Sequence, residues 1–295
     1  MYNFYIPLDH PDVSLRDWIR KNGISLTQWR KIKAQGIIKI NNLISKHDSI
    51  LHPGDNINIS LPLKENYNLQ PQNDTLNILF EDNYLLIVSK PSNMLVHPTC
   101  NQLNNTLGNI IMGYYQRNGV NAMFHPVSRL DKNTSGIIII AKTPQIQHLL
   151  SNKKINKSYL AIMPISKGFV SEFVDKPIAR KQGSIIEREV NEQIGKSAQT
   201  KFTLLANYKN YGLMNISIFT GRTHQIRVHA AYIGMPLLGD DLYGGNCYFS
   251  NTQLLHAHSI EFIHPITKQL INIRDYLPEH FKIAIEKIKR SSHVF

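Results

Sequence analysis

Three stretches of this chain hold residues whose types and spacing could do covalent chemistry. The first is His125 to Lys142, HPVSRLDKNTSGIIIIAK, where a single carboxylate, Asp131, follows Arg129 and Leu130 and precedes a polar run. Asn and Gly tolerate positive φ, and the Thr134 and Ser135 hydroxyls can bond the local backbone, so Lys132 to Gly136 reads as a turn. The four isoleucines that follow suit a strand covered on both faces. Asp131 is therefore a carboxylate at the mouth of a buried strand, although an ordinary turn aspartate has the same local pattern. The second stretch, Asn156-Lys157-Ser158-Tyr159-Leu160-Ala161, opens another strand. The third, Thr220 to His229 (TGRTHQIRVH), follows a strand and opens a helix continuing through Tyr232.

Other chemistries fit less well. His224 and His229 are five apart, about 140° round an ideal helix, unlike the four-residue spacing that puts two metal ligands on one face. His256 and His258 share one face of a strand with no carboxylate nearby in sequence, and neither Cys100 nor Cys247 falls in a paired zinc pattern. Phosphate-loop and dinucleotide fingerprints are absent. No metal and no cofactor is expected. Two lone cysteines point to free thiols in a reducing compartment.

The elements that must position these stretches follow from pattern. Ser14-x-x-Asp17 and Ser25-x-x-Gln28 are helix starts, with stops at Gly23 and Gly36. Ile37 to Ile40, an Asn41-Asn42 turn, and Ile57 to Ile59 after Pro53-Gly54-Asp55 read as short strands. Leu61 to Asp74 has two prolines and no period, the pattern of a linker. Beyond it, strands are expected at Ile78–Phe80, Tyr84–Ser89, Tyr159–Met163, Phe202–Leu205, Leu213–Phe219 and Ser259–Ile263. Helices are expected from Thr106 to about Arg117, Thr143 to about Asn152 and Pro278 to about Lys289. Strands outnumber helices without regular alternation, which favours an α+β fold on a largely antiparallel or mixed sheet with flanking helices. The expected division is a basic module at 1–62, a linker at 63–75 and a catalytic domain at 76–295.

Charge supplies the partner class. Of 295 residues, 33 are Lys or Arg and 21 Asp or Glu, a formal +12, which favours a polyanion such as nucleic acid or an anionic membrane surface. Between Arg16 and Lys46 stand eight basic residues and one acid, Asp17, an electrostatic footprint for phosphates or a solvated basic face. The N-terminus lacks a basic region before a long apolar core, and no apolar run approaches the ~20 residues that span a bilayer, so a cytoplasmic protein without membrane association is expected.

Two resemblances sharpen this reading. Residues 12 to 60 resemble the small RNA-binding module named after ribosomal protein S-four, in the two helices, the Gly36-Ile37-Ile38-Lys39-Ile40-Asn41 turn into strand and the Pro53-Gly54-Asp55 turn. The resemblance implies that Arg16, Arg20, Lys21, Arg30, Lys31 and Lys33 grip structured RNA. From about 76 to 275 the chain resembles the RluA-type pseudouridine synthases: Arg129-Leu130-Asp131-Lys132-Asn133-Thr134-Ser135-Gly136 is similar to their catalytic motif. Lys157-Ser158-Tyr159 is similar to their tyrosine motif and Gly221 to His229 to their arginine motif. Leu238-Gly239-Asp240, Tyr243-Gly244 and Leu255-His256-Ala257 also match. The chain departs from that family at Ser128, where a histidine is usual; His125, three residues earlier, is a loop histidine or a substitute in space.

That resemblance implies an enzyme isomerising uridine to pseudouridine in RNA, with Asp131 as the catalytic carboxylate acting on base or ribose. A carboxylate in a water-excluding pocket is driven toward its neutral form unless a cation stands beside it, and Arg227 is the expected partner. Tyr159 is expected to stack on a flipped-out base or to assist proton transfer. Arg129, Arg222 and His224 are expected to hold phosphate or nucleotide. Large-subunit ribosomal RNA is the first expected target and transfer RNA the second, for a monomeric protein. The rival is a non-catalytic RNA-binding or ribosome-assembly factor that keeps the fold.

Overall fold

The computed structural model describes residues 2–60 and 69–291, so residues 63–68 of the expected linker lie outside the described residues. The N-terminal part contains β1 (Tyr2–Tyr5), β2 (Val13–Ser14), α1 (Leu15–Lys21), α2 (Leu26–Gln35), β3 (Ile37–Ile40), β4 (Leu43–Ile44), β5 (Ile50–Leu51) and β6 (Asn56–Ser60). Its helices start where the sequence signals them. The Ser14 side chain accepts from the Asp17 N–H, and Ser25 with Gln28 closes a reciprocal capping box. Asn41 and Asn42 both take positive φ, 49° and 68°, which gives the β3–β4 hairpin a turn matched to strand twist. Leu15, Ile19, Trp29, Ile32, Leu51, Ile57 and Ile59 form a core of their own. All six basic residues expected to contact RNA are exposed.

The rest of the chain is built on a ten-stranded mixed sheet. Its elements are β7 (Asn77–Glu81), β8 (Leu85–Lys90), α3 (Leu107–Arg117), β9 (His125–Pro126), β10 (Ser135–Ala141), α4 (Pro144–Ser151), β11 (Asn156–Pro164), β12 (Ser171–Asp175), β13 (Ile178–Arg180) and β14 (Arg188–Val190). These are followed by β15 (Gln199–Tyr208), β16 (Tyr211–Ile218), α5 (Gln225–Tyr232), β17 (Leu255–Ile263), β18 (Leu270–Arg274) and α6 (Glu279–Arg290). The sheet runs β12-β15-β16-β11-β17-β10-β8-β7, with β18 on β17 and β9 on β10. Its pairs are antiparallel except β10 with β17, which meet in parallel at Ser135↔His256 and Gly136↔Ala257. The fold is α+β, as the irregular order of strands and helices implies.

The isoleucine run explains why β10 lies mid-sheet. Side chains alternate across a strand. Ile137 and Ile139 pack with Ile146 and Leu150 of α4, whereas Ile138 and Ile140 pack with Leu107, Ile111 and Tyr115 of α3. β11 repeats the arrangement: Tyr159, Ala161 and Met163 face Ile226 and Ala230 of α5, and Leu160 and Ile162 face Phe281 and Ile285 of α6. Residues 70–72, within the expected linker, lie against α3; Gln72 N–H donates to Asn109 O, and Asn109 Nδ2 to Gln70 O. The N-terminal part touches the remainder at α4, where Gln145 Nε2 donates to Asn22 O at 2.9 Å. The sequence signals neither the short β2, β5 and β9 nor β1, β12, β13, β14 and β18, and these last five lie at edges or in small hairpins with few buried residues. Half-exposed edges carry weak period-two patterns.

Candidate active site

Asp131 is set by the turn beneath it. The Thr134 N–H donates to Asp131 O at 3.1 Å, and the chain enters β10 through Gly136 at φ 109°. A Cβ at Gly136 would stand 2.3 Å from Ala257 O, so the parallel pairing requires glycine here. A second segment clamps the turn. Lys90, fully buried at the end of β8, donates to Pro91 O, Met94 O and Lys132 O at 2.8, 2.9 and 3.1 Å, and Ser92 Oγ donates to Asn133 O. Burial pushes the Lys90 ammonium down to about 7, against the opposing pull of Asp131. Sequence reading missed Lys90, because a lysine closing a strand normally ends in water.

The turn opens on a cavity of about 590 Å³. Asp131, Tyr159, Arg227, Arg129, Arg222 and His224 all line it, so three stretches far apart in sequence converge on one site. Lys132 and Lys157 bring the lysines and arginines on its wall to five, with Asp131 as its one acid among the described residues. The six N-terminal basic residues expected to grip RNA are not among its walls.

Arg227 projects from α5 and is held from behind. Its Nε and Nη2 each donate to the Asp240 carboxylate at 2.7 Å, and its Nη1 stands 3.6 Å from Asp131 Oδ2. Burial would lower its affinity for a proton, but the bonds to Asp240 and the field of Asp131 outweigh that, and the net direction is upward. Asp240 is fully buried next to Gly239, where φ is 79° and a Cβ would lie 2.1 Å from Thr252 O. Sequence reading did not give Asp240 a role; its signal was the Gly-Asp pair, whose use depends on a partner 13 residues away.

His224 precedes α5 in the left-handed region, φ 57° and ψ 17°. Such strain in a non-glycine residue marks a position fixed by its surroundings. Its Nδ1 lies 2.8 Å from Tyr243 Oη and its Nε2 3.8 Å from Asp131 Oδ2. The Arg188 N–H donates to the same Tyr243 oxygen at 3.0 Å, leaving the hydroxyl proton for Nδ1. With Tyr243 Oη–H donating to Nδ1, the neutral ring carries its proton on Nε2, the nitrogen that faces Asp131. Burial lowers the imidazole's pKa, as do Arg227 and Arg188, while Asp131 and Asp240 act the other way. Tyr243 also lies under the Arg227 guanidinium at 4.9 Å from the ring centroid.

Tyr159 is 8% exposed, and burial raises its phenol above the ordinary range, with Asp131 adding to the effect. It can offer a neutral ring face to a base. Arg129 is exposed at the rim, and Arg222 donates from Nε to Ser197 O at 2.9 Å, which leaves its two terminal nitrogens for a ligand.

Ser128 lines the cavity, as do His224 and His97, the latter packed edge-on against Phe124 at 5.0 Å. His125 is buried in β9 instead, paired with Ala141 and not on the cavity wall. His229 is a core residue, bonded through Nδ1 to Thr200 Oγ1 and through Nε2 to Lys176 O. No group of three or more metal-ligating side chains occurs among the described residues. None of their helices is long and apolar enough to cross a membrane.

Sequence and fold both match known proteins. The family model for RNA pseudouridylate synthase matches residues 84–232, which carry Asp131, Tyr159 and Arg227. The chain is 36% identical over 252 residues to the RNA pseudouridine synthase YhcT of Bacillus subtilis, covering 83% of each chain. It is 33% identical over 274 residues to ribosomal large subunit pseudouridine synthase D of Haemophilus ducreyi, covering 86% of this chain and 83% of that one. Human RNA Pseudouridylate Synthase Domain Containing 4 has the same fold, with a TM-score of 0.58 at 21% identity over 72% of this chain and 93% of its own. With its cationic cavity around a single carboxylate on a mixed sheet, this chain belongs to the RluA-type family of RNA pseudouridine synthases.

Proposed function

We propose that the protein isomerises specific uridines in large-subunit ribosomal RNA, with Asp131 as the carboxylate that acts on the flipped-out nucleotide. The observation that carries this reading is the placement of Asp131 as the one acid, among the described residues, in a cavity of five cationic side chains, 3.6 Å from an arginine that Asp240 holds in place. The reaction breaks the N1–C1′ bond, joins C5 to C1′, moves the C5 hydrogen to solvent as a proton and returns a proton to N1. It uses a carboxylate within reach of the nucleotide, and Arg227 Nη1 stands 3.6 Å from that of Asp131.

Flipping the nucleotide costs a few kcal/mol of stacking. The Tyr159 ring offsets part of that by stacking on the base, and Arg129, Arg222 and His224 hold the nucleotide and its phosphates. The N-terminal part, residues 1–62, acts as an S-four-type module that grips structured RNA through Arg16, Arg20, Lys21, Arg30, Lys31 and Lys33. Its exposed basic helices on a separate core support this. Residues 63–75 join it to a catalytic domain at 76–295. Ribosomal RNA is preferred over transfer RNA because relatives named ribosomal large subunit pseudouridine synthase D match across more than four fifths of this chain. The protein is read as a cytoplasmic monomer.

Tritium release from RNA labelled at uridine C5 tests the reaction. Wild type releases tritium and Asp131→Ala does not; release by both removes Asp131 from the chemistry. Pseudouridine mapping in a strain lacking the protein tests the target: a loss confined to transfer RNA overturns the ribosomal assignment. Neutralising Arg30, Lys31 and Lys33 weakens RNA binding and lowers its salt slope by about 0.7 to 0.9 for each phosphate no longer neutralised. Unchanged binding removes them from the interface.

A further inference from the structure

Lys157 opens β11 opposite Ile218 of β16, and its side chain lines the same cavity as Asp131. Two other cations of that wall are tied down: Arg227 by Asp240 and Arg222 by Ser197 O. Among the described residues, no carboxylate, carbonyl or hydroxyl bonds the Lys157 ammonium, although the residue is half-buried. Burial alone pushes its pKa down, and no acid pushes back. Among the described residues, the basic side chains whose nitrogens lie within 4.0 Å of the Asp131 carboxylate are His224 and Arg227, not Lys157.

A partly desolvated ammonium without a counter-charge is a cost to the folded state, and only an anion recovers it fully. Uracil carbonyls are neutral dipoles. In RNA the anion that accompanies a nucleotide into a cavity is its own phosphodiester. The position fits that use: Lys157 precedes Tyr159 by two residues on the same strand and faces the same cavity, so a cation lies beside the ring proposed to meet the base.

We infer that Lys157 is a substrate-binding residue whose ammonium takes an RNA phosphodiester flanking the flipped uridine. This rests on the reading of the cavity as a uridine-isomerising site. The phosphate completes an ion pair that the free protein leaves open. Lys157 then contributes to holding the nucleotide rather than to breaking its bonds.

The test uses full-length protein and total RNA, labelled with tritium at uridine C5 and isolated from cells lacking the protein. Tritium release is measured against RNA and salt concentration for wild type, Lys157→Met and Lys157→Arg. Lys157→Met is expected to raise KM about 10-fold and leave kcat within about twofold. It is also expected to flatten the salt dependence of log kcat/KM by about 0.7 to 0.9, the share of one phosphate. Lys157→Arg recovers most of the affinity. Because the methionine removes an unpaired, half-buried charge, its melting temperature is expected to equal or exceed that of wild type, which separates impaired binding from impaired folding. An unchanged KM and slope overturns the inference, and so does a collapse of kcat at unchanged KM, which would make Lys157 a proton-transfer group. A wild-type protein that releases no tritium refutes the parent reading instead.

Discussion

Two hydroxyl–histidine–aspartate chains stand close together in this molecule, and they are built alike. In one, Tyr243 bonds His224 Nδ1 at 2.8 Å, and His224 Nε2 faces Asp131 at 3.8 Å. In the other, Ser135 bonds His256 Nδ1 at 3.0 Å, and His256 Nε2 faces Asp275 at 3.5 Å. Ser135 is only four residues from Asp131. The second set even has the residue types of a hydrolytic triad, yet none of its members lines the cavity. Exposure separates the two carboxylates: the Asp131 side chain is 30% exposed and that of Asp275 8%.

Surroundings complete the contrast. Asp131 faces Arg227 at 3.6 Å on the cavity wall, whereas Asp275 is bonded by Ser89 and backed by His258 on its main-chain oxygen. The sealed chain ties β8, β10 and β17 together behind the Asp131 turn and gives that turn a rigid floor. Under the proposed reading, similar groups at similar distances do different work, because a reacting group needs access to its substrate and a structural one needs the reverse.

Exchanging carboxamide for carboxylate in each chain is the strongest way to break this contrast. Asp131→Asn is expected to cut tritium release on the order of 10³-fold or more while folding is retained. Asp275→Asn is expected to leave kcat/KM within about threefold and to lower unfolding free energy by roughly 1–3 kcal/mol. Equal catalytic losses, read by tritium release and denaturant melts on both variants, would erase the distinction. Next in size is Asp240→Asn, which strips the buried guanidinium of its counter-charge. A kcat loss of about 10²-fold is expected from misplaced Arg227, with on the order of 3 kcal/mol of stability. An unaffected kcat would detach Arg227 from the reaction.

Acid sharpens the structural side. Burial holds His125, on the strand paired with β10, down to about 4 from an ordinary 6.5. Between those values the unfolded chain binds the proton that the folded chain refuses, so stability falls as pH drops from about 6.5 to about 4. The loss is roughly 3 kcal/mol, and thermal melts of His125→Gln should show a shallower decline over that window. A decline of the same steepness would exclude His125 as its source. The smallest effect is expected from Tyr243→Phe, which keeps the ring under Arg227 and deletes the hydroxyl that sets the His224 tautomer. Here kcat should fall about 5- to 20-fold with KM nearly constant, and the ¹⁵N shifts of His224 should report mixed tautomers. Unaltered shifts would mean that Asp131 alone fixes the ring.

Much of the fold could be read from local pattern. The two capped helices, the Asn41-Asn42 hairpin and the isoleucine strand are signalled by side chains that bond or pack within a few residues of themselves. The site was legible only in part. Asp131, Tyr159 and Arg227 stand in three short motifs, whereas Lys90, Asp240, Tyr243 and His97 gain their places through contacts with distant segments. Sequence also left His256 without a carboxylate, because Asp275 reaches it only when β18 folds back on β17.

By itself, then, the sequence determined the helices, the buried strands, the basic excess and the carboxylate at the head of β10. These depend on periodicity, capping and net charge, which are properties of neighbouring residues. Tertiary structure alone decided which of two matching hydroxyl–histidine–aspartate chains opens to solvent, which cation Asp240 would fix and which, Lys157, would be left for an anion to find. Burial and counter-charge are set by whatever the fold brings alongside, and no local pattern carries that information.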